Sequence, residues 1–286
     1  MKIIVLGANG MIGSAVFYIL SSKKEWDVFG LVRNKKGIPK DTKLNVKKIN
    51  SLMDIYNVIN KLNPHVVINA IGVTKHLSDI NDKTSSIYIN SYFPNKLADY
   101  CKLNNIRLIH ISTDCVFSGL KGNYNEYDIS DANDFYGKTK SLGEINNRES
   151  LTLRTSTIGH ELFSQNGLLE WFLSQKKSCQ GFSNAQFSGL TNVEFALVIK
   201  NYVLTKPSLS GLYNIGGATI NKYMLLQIIS EVYKIKINII KDDNFIINRS
   251  LNSKKFYTDT GYIAPSWKVL INEMYKYKYL WNNKHV

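Results

Sequence analysis

The chain opens "KIIVLGANGMIG", a β-branched run that stops at Gly7 and is followed by Gly10 and Gly13. An apolar run this short reads as a buried strand. In the GxxGxxG turn that ends it, Gly7 permits a tight turn, Gly10 lets the backbone approach a pyrophosphate, and Gly13 lets the following helix pack closely on the strand. The helix N-terminus then faces the phosphates. Such a turn is weak evidence alone, but at the first strand–helix junction of a βα series it favours a dinucleotide over a purely structural turn.

That series is present. "WDVFGLV" (26–32), "HVVINAIG" (65–72), "IRLIHIS" (106–112) and "SLTLRTS" (150–156) are short apolar runs suited to buried parallel strands. Between them, "MIGSAVFYILSS", "LMDIYNVINKL", "SSIYINSYFPNKLADYCKLN" and "DFYGKTKSLGEINN" place apolar residues at helical spacing. The fold class predicted is α/β, a Rossmann-like doubly wound parallel sheet with right-handed crossovers. Past residue 157 the rhythm loosens, with helices expected over 167–175 and 221–234, a strand over 211–217, and a Pro-containing turn before a tyrosine-rich helix. Residues 1–157 and 191–218 are assigned to the dinucleotide-binding domain, and 158–190 and 219–286 to a smaller substrate-binding lobe.

Composition narrows the partners. The 286 residues carry a formal charge of +14, but the lysines are spread along the chain and no helix-turn-helix, zinc-finger or RNP signature accompanies them, so no nucleic-acid partner is expected. No apolar run approaches the roughly 18 residues of a membrane span, and the N-terminal run enters a glycine turn where a signal peptide would continue. A cytoplasmic protein is expected. Cys101, Cys115 and Cys179 lack CxxC spacing, and His65, His76, His110, His160 and His285 show no HExxH-type pairing, so neither a disulfide framework nor a metal site is inferred.

Two further stretches carry chemistry. At the end of the second strand an acid would mark NAD, by receiving the ribose 2′-hydroxyl. The chain has "LVRNKKG" instead, and Arg33 would pair with a 2′-phosphate, so NADPH is preferred with NADH left open. In "FYGKTK", Tyr136 and Lys140 share a helix face, where an ammonium can favour the ionised form of a phenol that is otherwise a reluctant acid–base catalyst.

With GxxGxxG at 7–13, "NAIG" at 69–72, Asn90, "STD" at 112–114 and YxxxK at 136–140, the chain resembles the extended short-chain dehydrogenase/reductase superfamily. "STDCVFSG", "YNEYD", "FYGKTKSLGE", "LRTS", "GLT" at 189–191 and "LNSKKFYTDTGYIAPSW" are most similar to the dTDP-4-dehydrorhamnose reductases and related nucleotide-sugar reductases. The resemblance implies reduction of the C4 ketone of a nucleotide-diphosphate-linked 4-keto-6-deoxyhexose by NADPH. Tyr136 would protonate the developing alkoxide, Thr113 would hydrogen-bond the same oxygen, and Lys140 would hold the cofactor's ribose hydroxyls and tune Tyr136. Gly10, Met11 and Ile12 would meet the pyrophosphate, Ala70, Ile71 and Gly72 would line the cofactor's path, and Asn50 would stand near the adenine. Asp114 and Thr157 would join Thr113 and Tyr136 on the substrate side.

Departures from the family pattern fall in telling places. Asn50 replaces a more usual Asp, Thr157 stands where a Trp is common, and "NAQFSGLT" differs from "DQxGSPT". "SLTLRTSTIGHEL" followed by "GLLEWFLSQ" resembles a branch acting on UDP-linked 2-acetamido-2,6-dideoxy sugars, such as the rhamnosamine route. A dehydratase would need Glu after Thr-Asp, where this chain has Cys115, and an epimerase would favour an acid over Arg33. A non-catalytic regulatory subunit, as in methionine adenosyltransferase, is the rival from another class. A homodimer is left open.

Overall fold

The computed structural model describes residues 1–38, 44–74, 82–163 and 165–280; His76 and His285 lie outside them. The strands of the first half are β1 (Lys2–Leu6), β2 (Asp27–Val32), β3 (Asn45–Lys48), β4 (Val66–Asn69), β5 (Arg107–Thr113) and β6 (Ser150–Thr155). They are followed by β7 (Thr157–Ile158), β8 (Ser178–Phe182), β9 (Ala185–Phe187), β10 (Leu190–Thr191) and β11 (Gly211–Ile215). The last are β12 (Ile220–Asn221), β13 (Asn238–Asp242) and β14 (Ile247–Asn248). One seven-stranded sheet runs in the order β11-β6-β5-β4-β1-β2-β3, every pairing parallel. The order reverses at β1, which lies between β2 and β4, and that reversal opens a crevice at the strands' carboxyl ends.

Helices cover both faces: α1 (Met11–Ser21), α2 (Met53–Leu62), α3 (Lys83–Ile87), α4 (Phe93–Leu103), α5 (Phe135–Leu142), α6 (Leu168–Ser174), α7 (Asn192–Val198), α8 (Lys222–Tyr233), α9 (Lys254–Thr260) and α10 (Trp267–Lys276). Strand residues divide between the faces by simple alternation. Ile3 and Val5 enter a core with α1, α7, α8 and α10, whereas Ile4 and Leu6 enter a second core with α2 and α4.

Three local outcomes depart from the expected pattern. "NVKK" forms β3 as a half-exposed edge strand, so it lacks the continuous apolar run that marks its neighbours. The helix expected over 85–104 is interrupted by a π-helical turn, Tyr88–Tyr92. Pro94 follows it in the first turn of α4 and has no N–H to donate to the Asn90 carbonyl, so the preceding turn widens. Beyond β6 lie short strand pairs, β8 with β13, β7 with β10, and β9 with β12 and β14, that no apolar run announces. No described helix is long and apolar enough to cross a membrane.

Candidate active site

The glycine turn follows β1 and opens α1. Gly7 has a φ of +74°, and a Cβ on Gly13 would lie 2.1 Å from the Gly7 carbonyl oxygen, so the strand and helix meet at a distance only glycine allows. Gly10 caps α1 without a side chain, and no acid stands in the first turn. The backbone N–H groups at this end, with half-buried Met11 and Ile12 beside them, are therefore suited to an anionic ligand. Asn9 Nδ2 donates to the Asn34 carbonyl at 2.9 Å, tying the turn to the exposed loop that carries Arg33. Across the crevice, the Ala70 N–H pairs with the Leu6 carbonyl and the Ile71 N–H with Asn69 Oδ1, which fixes the path of the Ala70–Gly72 backbone beside the glycine turn. Asn50 stands apart: it is exposed just after β3, four strands from β5, with its N–H held by Asp54 Oδ2 at 2.8 Å. The glycine turn therefore fits a dinucleotide's pyrophosphate, and Arg33 lies exposed just after β2 in the loop tied to that turn.

The hydroxyl pair lies at the carboxyl end of β5. Thr113 Oγ1 accepts from the Cys115 N–H at 3.1 Å and donates to Asp114 Oδ1 at 3.2 Å. Tyr136, on the first turn of α5, lies close enough to Thr113 for that hydroxyl to act on its ionisation. Asp134 caps α5 by accepting the Gly137 N–H at 2.7 Å, and a Cβ on Gly137 would lie 2.2 Å from the Cys115 carbonyl oxygen. Glycine at 137 lets α5 approach the Asp114–Val116 turn closely enough for the two hydroxyls to meet. Asp114 is buried and its carboxylate accepts from Thr113, so within the fold its direct work is to orient that hydroxyl.

Lys140 is one helical turn from Tyr136 and almost fully buried, with Nζ donating to the Ile111 carbonyl at 3.0 Å. Burial lowers its pKa to about 8, against an opposing pull from Glu144. The expectation that Lys140 would draw the phenol toward ionisation is not met in this arrangement. Burial pushes Tyr136 up, Cys115 and two carboxylates add to the rise, and the Thr113 hydroxyl opposes it. The phenol is therefore neutral at ordinary pH and carries the proton that an acid must give. His110, buried in β5, lies 3.1 Å from Asn69 Nδ2 through its Nδ1, and burial followed by the Lys140 charge pushes it well below its ordinary value. It is a neutral core residue, not a ligand. Among the described residues, no group of His, Cys, Asp and Glu gathers as a metal ion requires.

Other side chains brace these elements; Asn90 among them belongs to the motif pattern quoted above, whereas Arg249 does not. Asn90, in the π-turn, donates to the Val73 carbonyl at 2.9 Å and to Thr139 Oγ1 at 3.1 Å, which joins the cofactor-side loop after β4 to the catalytic-side helix. Glu144 binds Arg154 through two short contacts, 2.7 and 2.6 Å, and accepts from Ser112 Oγ at 2.6 Å, locking the end of α5 to β5 and β6. Arg249 reaches in from the loop after β14: Nε donates to the Phe117 carbonyl at 2.9 Å, and Nη2 stands 3.5 Å from Asp134 Oδ2. More than a hundred residues separate it from those partners, and a lone Arg in "INRSLN" carries no local signal. Thr157 begins β7, two residues beyond Thr155, whose register partner is Thr113; it is half-buried.

A family model described as the RmlD substrate binding domain matches residues 1–278. A dTDP-4-dehydrorhamnose reductase of Aggregatibacter actinomycetemcomitans is 29% identical over 159 residues, 55% of this chain and 49% of its own length. The methionine adenosyltransferase 2 subunit beta of Bos taurus is 28% identical over 143 residues, 50% of this chain and 41% of its own. The chain thus spans about half the length of the curated relatives it matches. Among solved structures, dTDP-4-dehydrorhamnose reductase from Bacillus anthracis str. Ames, in complex with NADP, superposes with a TM-score of 0.80 at 19% identity, covering 96% of this chain and 98% of that one. That likeness establishes a shared fold. The match over nearly the whole chain establishes more: the chain belongs to the RmlD substrate binding domain family.

Proposed function

We propose that the chain is an NADPH-dependent reductase of the C4 ketone in a nucleotide-activated 4-keto-6-deoxyhexose. The observation that carries this reading is the approach of Tyr136 to Thr113 at the carboxyl end of β5, where α5 packs on the Asp114–Val116 turn through Gly137, backed by buried Lys140. Bound NADPH would supply the hydride. Tyr136, neutral because buried, gives its proton to the oxygen that becomes the alcohol. Thr113 shares that oxygen, oriented by the Cys115 N–H and Asp114. Lys140, with its pKa lowered only to about 8 and so charged at neutral pH, would hold the cofactor's ribose hydroxyls. Arg33, exposed just after β2, would pair with a 2′-phosphate and so favour NADPH over NADH.

On the sugar side, Thr157 and the "NAQFSGLT" stretch depart from the dTDP-rhamnose pattern, which supports a UDP-linked 2-acetamido-2,6-dideoxy-4-keto sugar as the alternative substrate. The test is NADPH oxidation by purified protein given 4-keto intermediates made from dTDP-glucose and from UDP-N-acetylglucosamine, with NMR of the products. Oxidation with either supports the reading and names the nucleotide.

The beta-subunit relative supports a second reading, a non-catalytic NADP-binding regulatory subunit. It predicts no turnover with either sugar and a change in a partner enzyme's kinetics when the protein is added. Either reading expects Arg33→Ala to weaken NADPH by about 10- to 100-fold, the worth of one charge-assisted contact, and NADH much less. Equal losses for both cofactors would remove Arg33 from the 2′-phosphate.

A further inference from the structure

Asn192 is the first residue of α7, far in sequence from the glycine turn, and is completely buried. Its Nδ2 donates to the Met11 carbonyl at 3.0 Å and, more weakly, to the His160 carbonyl at 3.4 Å. Its Oδ1 is buried with no hydrogen-bond partner among the described residues. A fully buried amide that leaves its acceptor unsatisfied is costly, so the donor half of this side chain must be what the position requires. The His160 that it also reaches is itself fastened, with Nδ1 2.8 Å from Glu170 Oε1 on α6 and Nε2 2.8 Å from the Tyr233 hydroxyl on α8.

Met11 O and Ile12 N belong to one peptide unit. That carbonyl already accepts from Ser14 Oγ at 3.2 Å within α1, and Asn192 adds a shorter donor from outside the helix, which braces the peptide plane against the lobe and polarises it further, so the N–H on the other end becomes a stronger donor pointed the opposite way. That N–H belongs to the first turn of α1, where Gly10 provides no side-chain cap. The hydrogen bonds therefore run from the turn that would meet a pyrophosphate, through Asn192, to the strand end and helices of the lobe.

We propose that Asn192 is a positioning residue for the cofactor's pyrophosphate, holding the Met11–Ile12 peptide in the orientation that presents its N–H to the phosphates. This rests on the dinucleotide reading above and adds a residue that no glycine motif contains. The test compares two ligands by isothermal titration calorimetry. NADPH carries a pyrophosphate; adenosine 2′-monophosphate carries the adenine and 2′-phosphate without one. Asn192→Leu keeps the volume and discards the unsatisfied Oδ1, and Asn192→Ala serves as the second variant should the first fail to fold. The expected result is an NADPH Kd raised about tenfold, with the adenosine 2′-monophosphate Kd within about twofold of wild type. Unchanged NADPH affinity overturns the proposal, as do equal losses for both ligands, which would make Asn192 merely structural. Wild-type protein that binds no NADPH would overturn the dinucleotide reading itself, and the two failures are told apart by the wild-type titration alone.

Discussion

Tyr136 and Lys140 show how one environment sets two ionisations in opposite directions. Burial disfavours charge, so it raises the phenol and lowers the ammonium. For Tyr136 this keeps the proton in place, and Tyr136→Phe is expected to cut kcat by about 10²- to 10⁴-fold while NADPH affinity stays near wild type; full turnover would end the proton-donor role. For Lys140, with its pKa lowered to about 8 from 10.5, the folded chain gives up the proton first. Between those two values the unfolded chain binds more protons, so this residue's contribution to stability rises with pH there, and the cost of burying the charge is fully present below pH 8. Cofactor binding follows the opposite course, because a neutral amine grips ribose hydroxyls less well. NADPH affinity should fall as pH rises from 7 to 9, with an inflection near 8 that Lys140→Met abolishes. A flat profile in wild type would show that the charge takes no part in binding. Both residues were legible because a YxxxK spacing is local: four residues on one helix suffice to bring the side chains to one face. Arg249 was not, because only tertiary packing brings it to Phe117 and Asp134.

At the level of elements, the site depends on how closely α5 approaches the turn after β5. Gly137 sits one residue past Tyr136, and a Cβ there would lie 2.2 Å from the Cys115 carbonyl oxygen and 2.5 Å from Ala132 Cβ. Helix propensity alone favours Gly137→Ala by about 1 kcal/mol. Overpacking against rigid backbone costs about 1–3 kcal/mol, so the clash decides the sign. The variant should be destabilised in urea, and kcat should fall about 100-fold because a displacement near 1 Å separates Tyr136 from Thr113. A more stable, fully active Gly137→Ala protein would show that α5 has room to spare. The same helix illustrates where reading stops. Its apolar spacing suggested a continuation to residue 147, yet α5 ends at Leu142, and Glu144 beyond it is claimed by Arg154 and Ser112. A carboxylate that leaves a helix to complete a buried ion pair gives no periodic warning.

Over the whole molecule, the strands of the sheet were legible because burial on both faces makes them continuous apolar runs. The lobe was not: β8 and β13, "SCQGF" and "NIIKD", acquire their strand character from pairing with each other across more than fifty residues. Lobe and sheet nevertheless share one core. Ile3 and Val5 of β1, Val193 and Ile199 on and after α7, Leu225 and Ile229 of α8, and Trp267 and Ile271 of α10 belong to a single buried cluster. The opposite face, with Cys101, is built from the alternate residues of the same strands. Losing either cluster would leave β1 exposed on one side, so the two should be lost together. Cys101 and Cys179 provide natural reporters, each buried and outside any disulfide, one on the inner face of α4 and the other in β8. Pulsed thiol labelling along a urea series, read by mass spectrometry, should give the two cysteines the same midpoint. If Cys179 becomes reactive at clearly lower urea than Cys101, the lobe opens as its own unit, and the cluster that joins it to the sheet does not make the two cooperative.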